Sequence, residues 1–341
     1  MIQSSSNRRF SRQMSCAGIA AILCVAVVAT HAIACNIPVF RYALERWKPD
    51  TSEIVVFYDG ELSQPQLAMV TELSSQTTQH GGHANAKVIR SNVASETDPL
   101  RRDLWEQLRS TSEPTLPAVL IRSKLGKGRF INHWHGSLDD ADQLGIFRSP
   151  VRDELSNRLL GGQSVVWLLV QSPDQQKNLA AKELLSKTFG SLATKIQLPE
   201  GIGLPGSELY ADVPLVVKFS VLEIDASDPS EAFLTGLLTS MRKESFQSGE
   251  PLLVPVFGRG RALEVIPAND VSAKLIEDLT LFLSGACSCQ VKEQNPGFDL
   301  LINADWDTEL FGDLENRPPD RSAEEGRNRD PVLVPIPPGR K

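Results

Sequence analysis

The sequence predicts an α/β protein of two tandem βαβαββα domains, each a mixed sheet flanked by helices. Three observations carry that expectation. Short apolar runs alternate with segments of helical period across residues 52–285. The same order of elements is met twice, from Ile54-Val55-Val56-Phe57-Tyr58 and again from Ser164-Val165-Val166-Trp167-Leu168-Leu169-Val170. Finally, Glu113-Pro114-Thr115-Leu116-Pro117-Ala118-Val119-Leu120-Ile121-Arg122 agrees with Glu250-Pro251-Leu252-Leu253-Val254-Pro255-Val256-Phe257-Gly258-Arg259 in its Glu-Pro start, apolar run and closing Arg. An internal duplication accounts for the agreement, against a chance likeness of two common α/β patterns.

Residues 1–34 precede this body. They hold Arg8, Arg9 and Arg12, no Asp, Glu or Lys, and an apolar run from Ala17. That is the charge layout of a signal peptide or membrane anchor, and it predicts export to the outer side of the cytoplasmic membrane or the periplasm. Ala32-Ile33-Ala34 is a small-residue cleavage site that leaves Cys35 first. Cys35 is therefore the candidate lipidation site of a lipoprotein, although Ala32 stands where a lipobox carries Leu. Simple secretion and an uncleaved anchor are the other two readings. Residues 17–34 approach the roughly 20 residues that cross a bilayer, with His31 awkwardly inside. Arg8-Arg9-Phe10 echoes a twin-arginine signal with Phe one place early.

Without that leader about 307 residues remain, enough for two cores. The net charge of −7 becomes −10, because the leader holds three positive charges and no negative one. An acidic chain with scattered Lys and Arg is repelled by phosphate backbones, so no nucleic-acid partner is expected. Beyond the leader's Cys16 and Cys24, only Cys35, Cys287 and Cys289 are present, too few for a disulfide scaffold.

The elements follow in order. Residues 35–50 form a juxtamembrane segment in which Phe40, Ala43, Leu44 and Trp47 recur at helical spacing after Pro38. This helix lies on lipid or, more simply, packs on the first domain. Domain 1, residues 51–162, reads as a strand at 54–58, helix 64–79, strand 86–92, helix 99–109, strands 118–122 and 130–134, and helix 149–160. Domain 2, residues 163–312, reads as a strand at 164–170, helix 174–189, strand 215–224, helix 230–241, strands 253–257 and 262–266, and helix 271–283. Gly161 and Gly285 end the two last helices alike. A further strand is expected at 299–303. Residues 313–341 are charged or Pro-rich and read as a disordered tail.

This order of elements resembles the thioredoxin fold, twice over. The resemblance implies a cis-proline before the third strand, for which Pro117 is the candidate and Pro255 its counterpart. It also places a Cys-x-x-Cys after Phe57-Tyr58-Asp59-Gly60 and after Val170-Gln171-Ser172-Pro173. Here the chain reads Glu61-Leu62-Ser63-Gln64 and Asp174-Gln175-Gln176, without cysteine. Thiol–disulfide exchange needs a thiolate nucleophile, so that activity is not expected at either position. The start Cys35-Asn36-Ile37-Pro38-Val39-Phe40-Arg41-Tyr42-Ala43 also resembles a family of exported bacterial proteins beginning Cys-Asn-x-Pro-Val-Phe-Arg-Tyr-Ala, a resemblance that supplies no activity.

Other candidate sites are sparse. Cys287 and Cys289 stand two residues apart beyond a helix end, where two thiols can clasp a soft metal (Cu or Zn) or form a strained disulfide. The negative end of a helix dipole opposes thiolate formation there. His133 and His135 on a strand would share one face, with Trp134 on the other. His80 and His83 stand in a loop, and neither pair has the further ligands a zinc site needs. Asp305 and Asp307 read as solvated turn residues. Gly258-Arg259-Gly260-Arg261 lacks the Gly-Lys-Ser/Thr ending of a phosphate loop and reads as a hairpin turn. No Gly-x-Ser-x-Gly or His-Glu-x-x-His occurs. The expected function is an exported, membrane-tethered, non-enzymatic scaffold or binding protein without a cofactor, an accessory subunit of a transporter-type membrane complex. The alternative is a thiol-redox or soft-metal protein acting through Cys287 and Cys289, and a hydrolase triad assembled from scattered residues is a third, weaker option.

Overall fold

The computed structural model describes residues 36–192, 194–287, 292–312 and 316–319. The leader, Cys35, Cys289 and most of the tail lie outside the described residues. The first described element is helix α1 (Val39–Arg46). The first series then runs β1 (Ser52–Tyr58), α2 (Gln64–Ser75), β2 (Ala86–Asn92), α3 (Pro99–Thr111), β3 (Ala118–Lys124), β4 (Phe130–Ser137) and α4 (Leu138–Gln143). Helix α5 (Pro150–Leu160) leads into β5 (Val165–Gln171), α6 (Gln175–Leu192), β6 (Phe219–Asp225), α7 (Ala232–Ser240), α8 (Lys243–Gln247) and β7 (Leu252–Phe257). The chain closes with β8 (Arg261–Ala262), β9 (Ile266–Pro267), α9 (Ala273–Ser284), β10 (Phe298–Asp299) and α10 (Trp306–Phe311).

Both sheets have one topology. The first is ordered β2-β1-β3-β4, with β1 parallel to β2 and antiparallel to β3, and β4 antiparallel to β3. In the second, β6-β5-β7-β8 repeats those directions, β10 extends the edge beyond β8, and β9 pairs with β7. The chain therefore carries two tandem thioredoxin-like βαβαββα units. The strands are β-branched and aromatic, which suits a pleated buried surface. The helices begin where a side chain can satisfy orphan amides: Ser63 forms a capping box with Gln66, Asp98 caps α3, Ser149 caps α5 and Ser272 caps α9.

Several expectations are corrected. The first series is closed by short α4, not by the helix expected at 149–160. That helix, α5, sends Val151, Leu155 and Leu159 into the core of the second sheet. Helix α1 likewise packs on β7 and α9 of the second half, not on the first domain. The expected strand 262–266 is two short strands, because residues 263–265 leave the ladder. Pro255 sits inside β7 opposite Trp167, whereas Leu252 opposite Val170 matches Ala118 opposite Phe57. Pro251, not Pro255, is thus the topological counterpart of Pro117, and the local sequence match between the halves is out of register by three residues.

The halves are joined by elements that serve both. Of the strand expected at 299–303 only Asp299 lies in β10; residues 300–303 run on as a strap between the halves, with Asn303 bridged to Ala84. Leu300 and Ile302 enter the second core, while Leu301 between them enters the first. Asn85 holds the strap: its Nδ2 donates to Leu300 O (3.1 Å) and its Oδ1 accepts from Ile302 N (2.8 Å). Helix α7 does the same with Phe233 on the first core and Leu234, Leu237 and Leu238 in the second. Arg152 is 1% exposed and donates to Ile146 O (2.6 Å) and Leu301 O (3.1 Å), with its guanidinium 4.9 Å from the Phe233 ring. Burial lowers its pKa to about 10, with Glu231 and Asp153 opposing the shift.

Candidate functional site

The two positions where a thioredoxin-like fold carries its thiols are the starts of α2 and α6. At α2, Ser63 N–H donates to Gln66 Oε1 (2.9 Å), and Ser63 Oγ accepts from Gln66 N (3.5 Å). The peptide bond Leu116–Pro117 is cis and directly precedes β3. At α6, Asp174 Oδ1 accepts from Gln176 N (3.0 Å) and Lys177 N (3.2 Å), and Asn178 bonds the backbone and hydroxyl of Ser172. Lys177 pairs with Glu250, next to Pro251, which raises the lysine's pKa. Oxygen acceptors of serine and aspartate thus occupy both helix starts. Such groups orient backbone amides and do not replace the thiolate that attacks a disulfide.

Cys287 is 2% exposed, and its N–H donates to Ile37 O (2.9 Å) beside the Pro38–Ala286 bridge. The segment after α9 is thereby laced to the segment before α1. Cys289 lies outside the described residues.

His133 and His135 do not share a face. Ile121 pairs with Trp134 and Arg122 with Asn132, so His133 is the extra residue of a β-bulge. The bulge turns its ring against Phe233 (centroids 5.3 Å apart), while His135 stays exposed. His133 Nε2 lies 3.1 Å from Ser123 Oγ, which is 3.2 Å from Ser52 Oγ, and Nδ1 is buried without a partner. Burial holds its pKa at about 4, so the imidazole is neutral at pH 7. No carboxylate orients the ring, and Ser123 is sealed from solvent, so this chain of hydroxyls lacks the parts of a hydrolytic triad. His83 stands 3.8 Å from Asp305, and His80 Nδ1 is 3.3 Å from Thr77 Oγ1. Among the described residues no three metal-ligating side chains converge.

Asp305 and Asp307 belong to a helix start rather than a solvated turn. Asp305 caps α10 through Thr308 N (3.2 Å), Trp306 is buried, and Asp307 accepts from Arg259 Nη1 (2.6 Å). Gly258-Arg259-Gly260-Arg261 is the expected hairpin turn and also a clamp. Arg259 donates to Leu44 O (2.7 Å) and Glu45 O (3.1 Å). Arg261 donates to the carbonyls of Pro296, Asn295 and Gly297 and to Asp299 (3.2 Å). Gly258, at φ 59°, leaves room for Ala43, whose Cβ would lie 2.7 Å from an added methyl.

Two polar networks escaped the reading of residue types. In the first, Arg41 (1% exposed) donates to Glu45 Oε1 (2.8 Å) and Ala211 O (2.6 Å). Glu45 also accepts from Arg46 (2.8 Å), Tyr210 N (3.1 Å) and Ala211 N (3.2 Å). The available signal was Arg41 and Glu45, four residues apart on a helix whose other positions are nearly all apolar. The second network lines a cavity of about 270 Å³ bounded by Asp50, Lys124, Leu125, Gly126, Gly128, Arg261, Lys292 and Glu293. Lys124 Nζ lies 3.0 Å from Asp50 Oδ1, Lys292 pairs with Asp50 (3.4 Å) and with Asp299, and Asp50 N donates to Asp299 Oδ2 (2.6 Å). Burial alone would raise the Asp50 pKa, but Lys292 and Lys124 outweigh it and hold the carboxyl below its ordinary value. The cations of this cleft are committed to acids and carbonyls of the same cleft, joining the end of β3 to the edge of the second sheet.

No protein-family model matches the chain, and none of the curated proteins matches it. Among solved structures, it is similar to the first two thioredoxin domains of Naumovozyma dairenensis Eps1p, at 11% identity and a TM-score of 0.24, over 68% of this chain and 90% of that one. It is also similar to ERdj5 form II, at 12% identity and a TM-score of 0.21, over 69% of this chain and 27% of that one. The assignment of the fold rests on strand order and direction in the two sheets. No helix among the described residues is long and apolar enough to cross a membrane.

Proposed function

We propose that this protein is a non-enzymatic binding protein: an exported scaffold, tethered to the membrane through a lipid on Cys35 or its N-terminal anchor, serving as an accessory subunit of a transporter-type membrane complex. One observation carries the binding reading. Both helix starts that would hold a thiolate hold Ser63 with Gln66 and Asp174 with Lys177, which cap amides and perform no exchange. The tether is supported by the basic, then apolar, leader ending at Ala34-Cys35. The resemblance of residues 35–43 to a family of exported bacterial proteins supports the same address.

The alternative, thiol-redox or Cu or Zn chemistry through Cys287 and Cys289, requires Cys287 to be reached, and its burial speaks against that. No cofactor is assigned. The test is extraction of the full chain from its own membrane in mild detergent after crosslinking. A stoichiometric membrane-protein companion is expected, and recovery alone under several crosslinkers refutes the scaffold. Mass analysis of the mature N-terminus distinguishes diacylated Cys35 from an unmodified one. Reduction of insulin disulfides at a rate that a Cys287→Ser/Cys289→Ser variant abolishes would install the alternative instead.

A further inference from the structure

Two uncharged segments converge on the point where the described chain begins. From one side comes the loop 201–207, Gly-Ile-Gly-Leu-Pro-Gly-Ser. Its Ser207 Oγ accepts from Asn36 N (3.0 Å), and a methyl on Gly201 would lie 2.9 Å from Asn36 Nδ2 and 3.7 Å from Leu204 Cδ1. From the other side comes the end of α9. Gly285 O accepts from Val39 N (3.1 Å), Ala286 bridges Pro38, and Cys287 N donates to Ile37 O. Residues 279–287 hold no charge, whereas the charged residues of α9 (Lys274, Glu277 and Asp278) all stand in its first half.

These two segments expose large apolar side chains. Leu204 is 61% exposed, Leu281 46% and Phe282 41%, three of the seven most exposed large apolar residues among those described. Single exposed apolar residues are ordinary, but these three stand on two segments that both meet residues 36–39, and a grouped apolar surface is one that a partner covers. The occupant is indicated by the chain itself. The peptide bond to Asn36 comes from Cys35, and residues 17–34 before it form an apolar run of near-bilayer length. In sequence, Asn36 is the residue next to the candidate lipidation site Cys35.

We infer that Leu204, Leu281 and Phe282 form a membrane-facing surface that seats the body on the acyl-chain boundary of the bilayer in which its N-terminus is held. Leucine and phenylalanine on an uncharged face are the side chains that enter that boundary, to about 5–10 Å. Attraction to anionic headgroups plays no part, because the patch carries no Lys or Arg and the chain is acidic overall. This inference rests on the proposed tether and adds to it an orientation: the uncharged end of α9 and the loop 201–207 face lipid.

The experiment uses the full chain in phosphatidylcholine vesicles, with tryptophan placed in turn by Leu204→Trp, Phe282→Trp and, as an aqueous control, Leu100→Trp on α3. The control position is 55% exposed. Lipids brominated along the acyl chain should quench the added emission roughly twofold at 204 and 282 and leave it unchanged at 100, as expected for side chains in the acyl boundary. Added salt or anionic lipid should not increase the effect. A chain that fails to float with vesicles overturns the tether and this surface together. A chain that floats while all three tryptophans stay unquenched keeps the tether and overturns the surface. Lack of quenching with 204 or 282 crosslinked between copies would assign the patch to a second copy of the chain and also overturns the inference.

Discussion

Glu45→Gln tests whether the clamp between α1 and residues 208–211 holds the second half together. Glu45 is 1% exposed and accepts from two arginines and two backbone amides. In the amide variant one oxygen becomes an NH2 that faces two donors, and Arg41 keeps its buried charge without a counter-charge. Breaking one member of a buried pair costs about 3–5 kcal/mol. For a chain of this size that corresponds to a fall in Tm of about 6–10 °C. Lys274 and Asp278 supply the control, since they have the same spacing and a similar distance (2.7 Å) but lie in solvent. Lys274→Met should leave stability close to that of the parent, because solvent screens the exposed pair. Adding Arg41→Met to Glu45→Gln removes the stranded cation and should restore roughly half of the loss. Thermal and guanidinium unfolding followed by tryptophan emission read all four proteins. A Glu45→Gln shift no larger than that of Lys274→Met, or a double variant below the single one, refutes the reasoning.

Three further outcomes are expected. The His133 pKa is about 4 in the folded protein against an ordinary 6.5, so between those values the unfolded chain binds the extra proton. His133 therefore supports stability fully above pH 6.5 and loses that support as pH falls toward 4, by on the order of 3 kcal/mol. His133→Phe should flatten the difference in urea stability between pH 7 and 4.5 relative to the parent; an unchanged slope contradicts the burial. Gly258→Ala forces a side chain onto a positive φ and into Ala43, and should lower stability by roughly 2–4 kcal/mol in a denaturant titration. Lys292→Met should move the Asp50 carboxyl pKa upward in a carbon-detected NMR titration, because the Lys292 ammonium is the foremost charge that offsets its burial. A pKa left in place would assign the shift to Lys124 instead.

The sheets were legible because β1, β3, β5 and β7 are apolar runs that a pleated core requires. The partners of helices were not. Residues 150–160 have the helical period, but nothing local says that Val151, Leu155 and Leu159 will meet the second sheet. The short helix that closes the first series, Leu-Asp-Asp-Ala-Asp-Gln, is half acidic and was hidden by its composition, although Ser137 and Asp140 form a capping box. The empty thioredoxin-type positions were readable from the absence of cysteine alone. The separation of His133 from His135 was not, since it depends on one bulge opposite Ile121 and Arg122 that no residue announces. Arg41 and Glu45 were legible as an i,i+4 pair, while their backbone partners stand some 165 residues away at 210–211.

That last separation bears on the order of assembly. Residues 36–46, including helix α1, leave the ribosome before any described strand, yet their long-range hydrogen bonds are with residues 207–211, Arg259 and the segment 285–287. The first sheet, by contrast, has its strands and α2 to α4 complete by residue 143; Ile146 and Phe147 of its core follow at once, and only Phe233 and Leu301 come from far along the chain. N-terminal segments ordinarily fold first during synthesis. Here the earliest described helix is a late arrival: a mostly apolar segment whose described partners are not available until nearly the whole chain has been made. Its docking closes a long loop, the slow kind of step in folding. Until then Phe40, Leu44 and Trp47 are exposed to misassociation, and a variant that slows α9 or β7 should aggregate through α1 rather than through its own altered element.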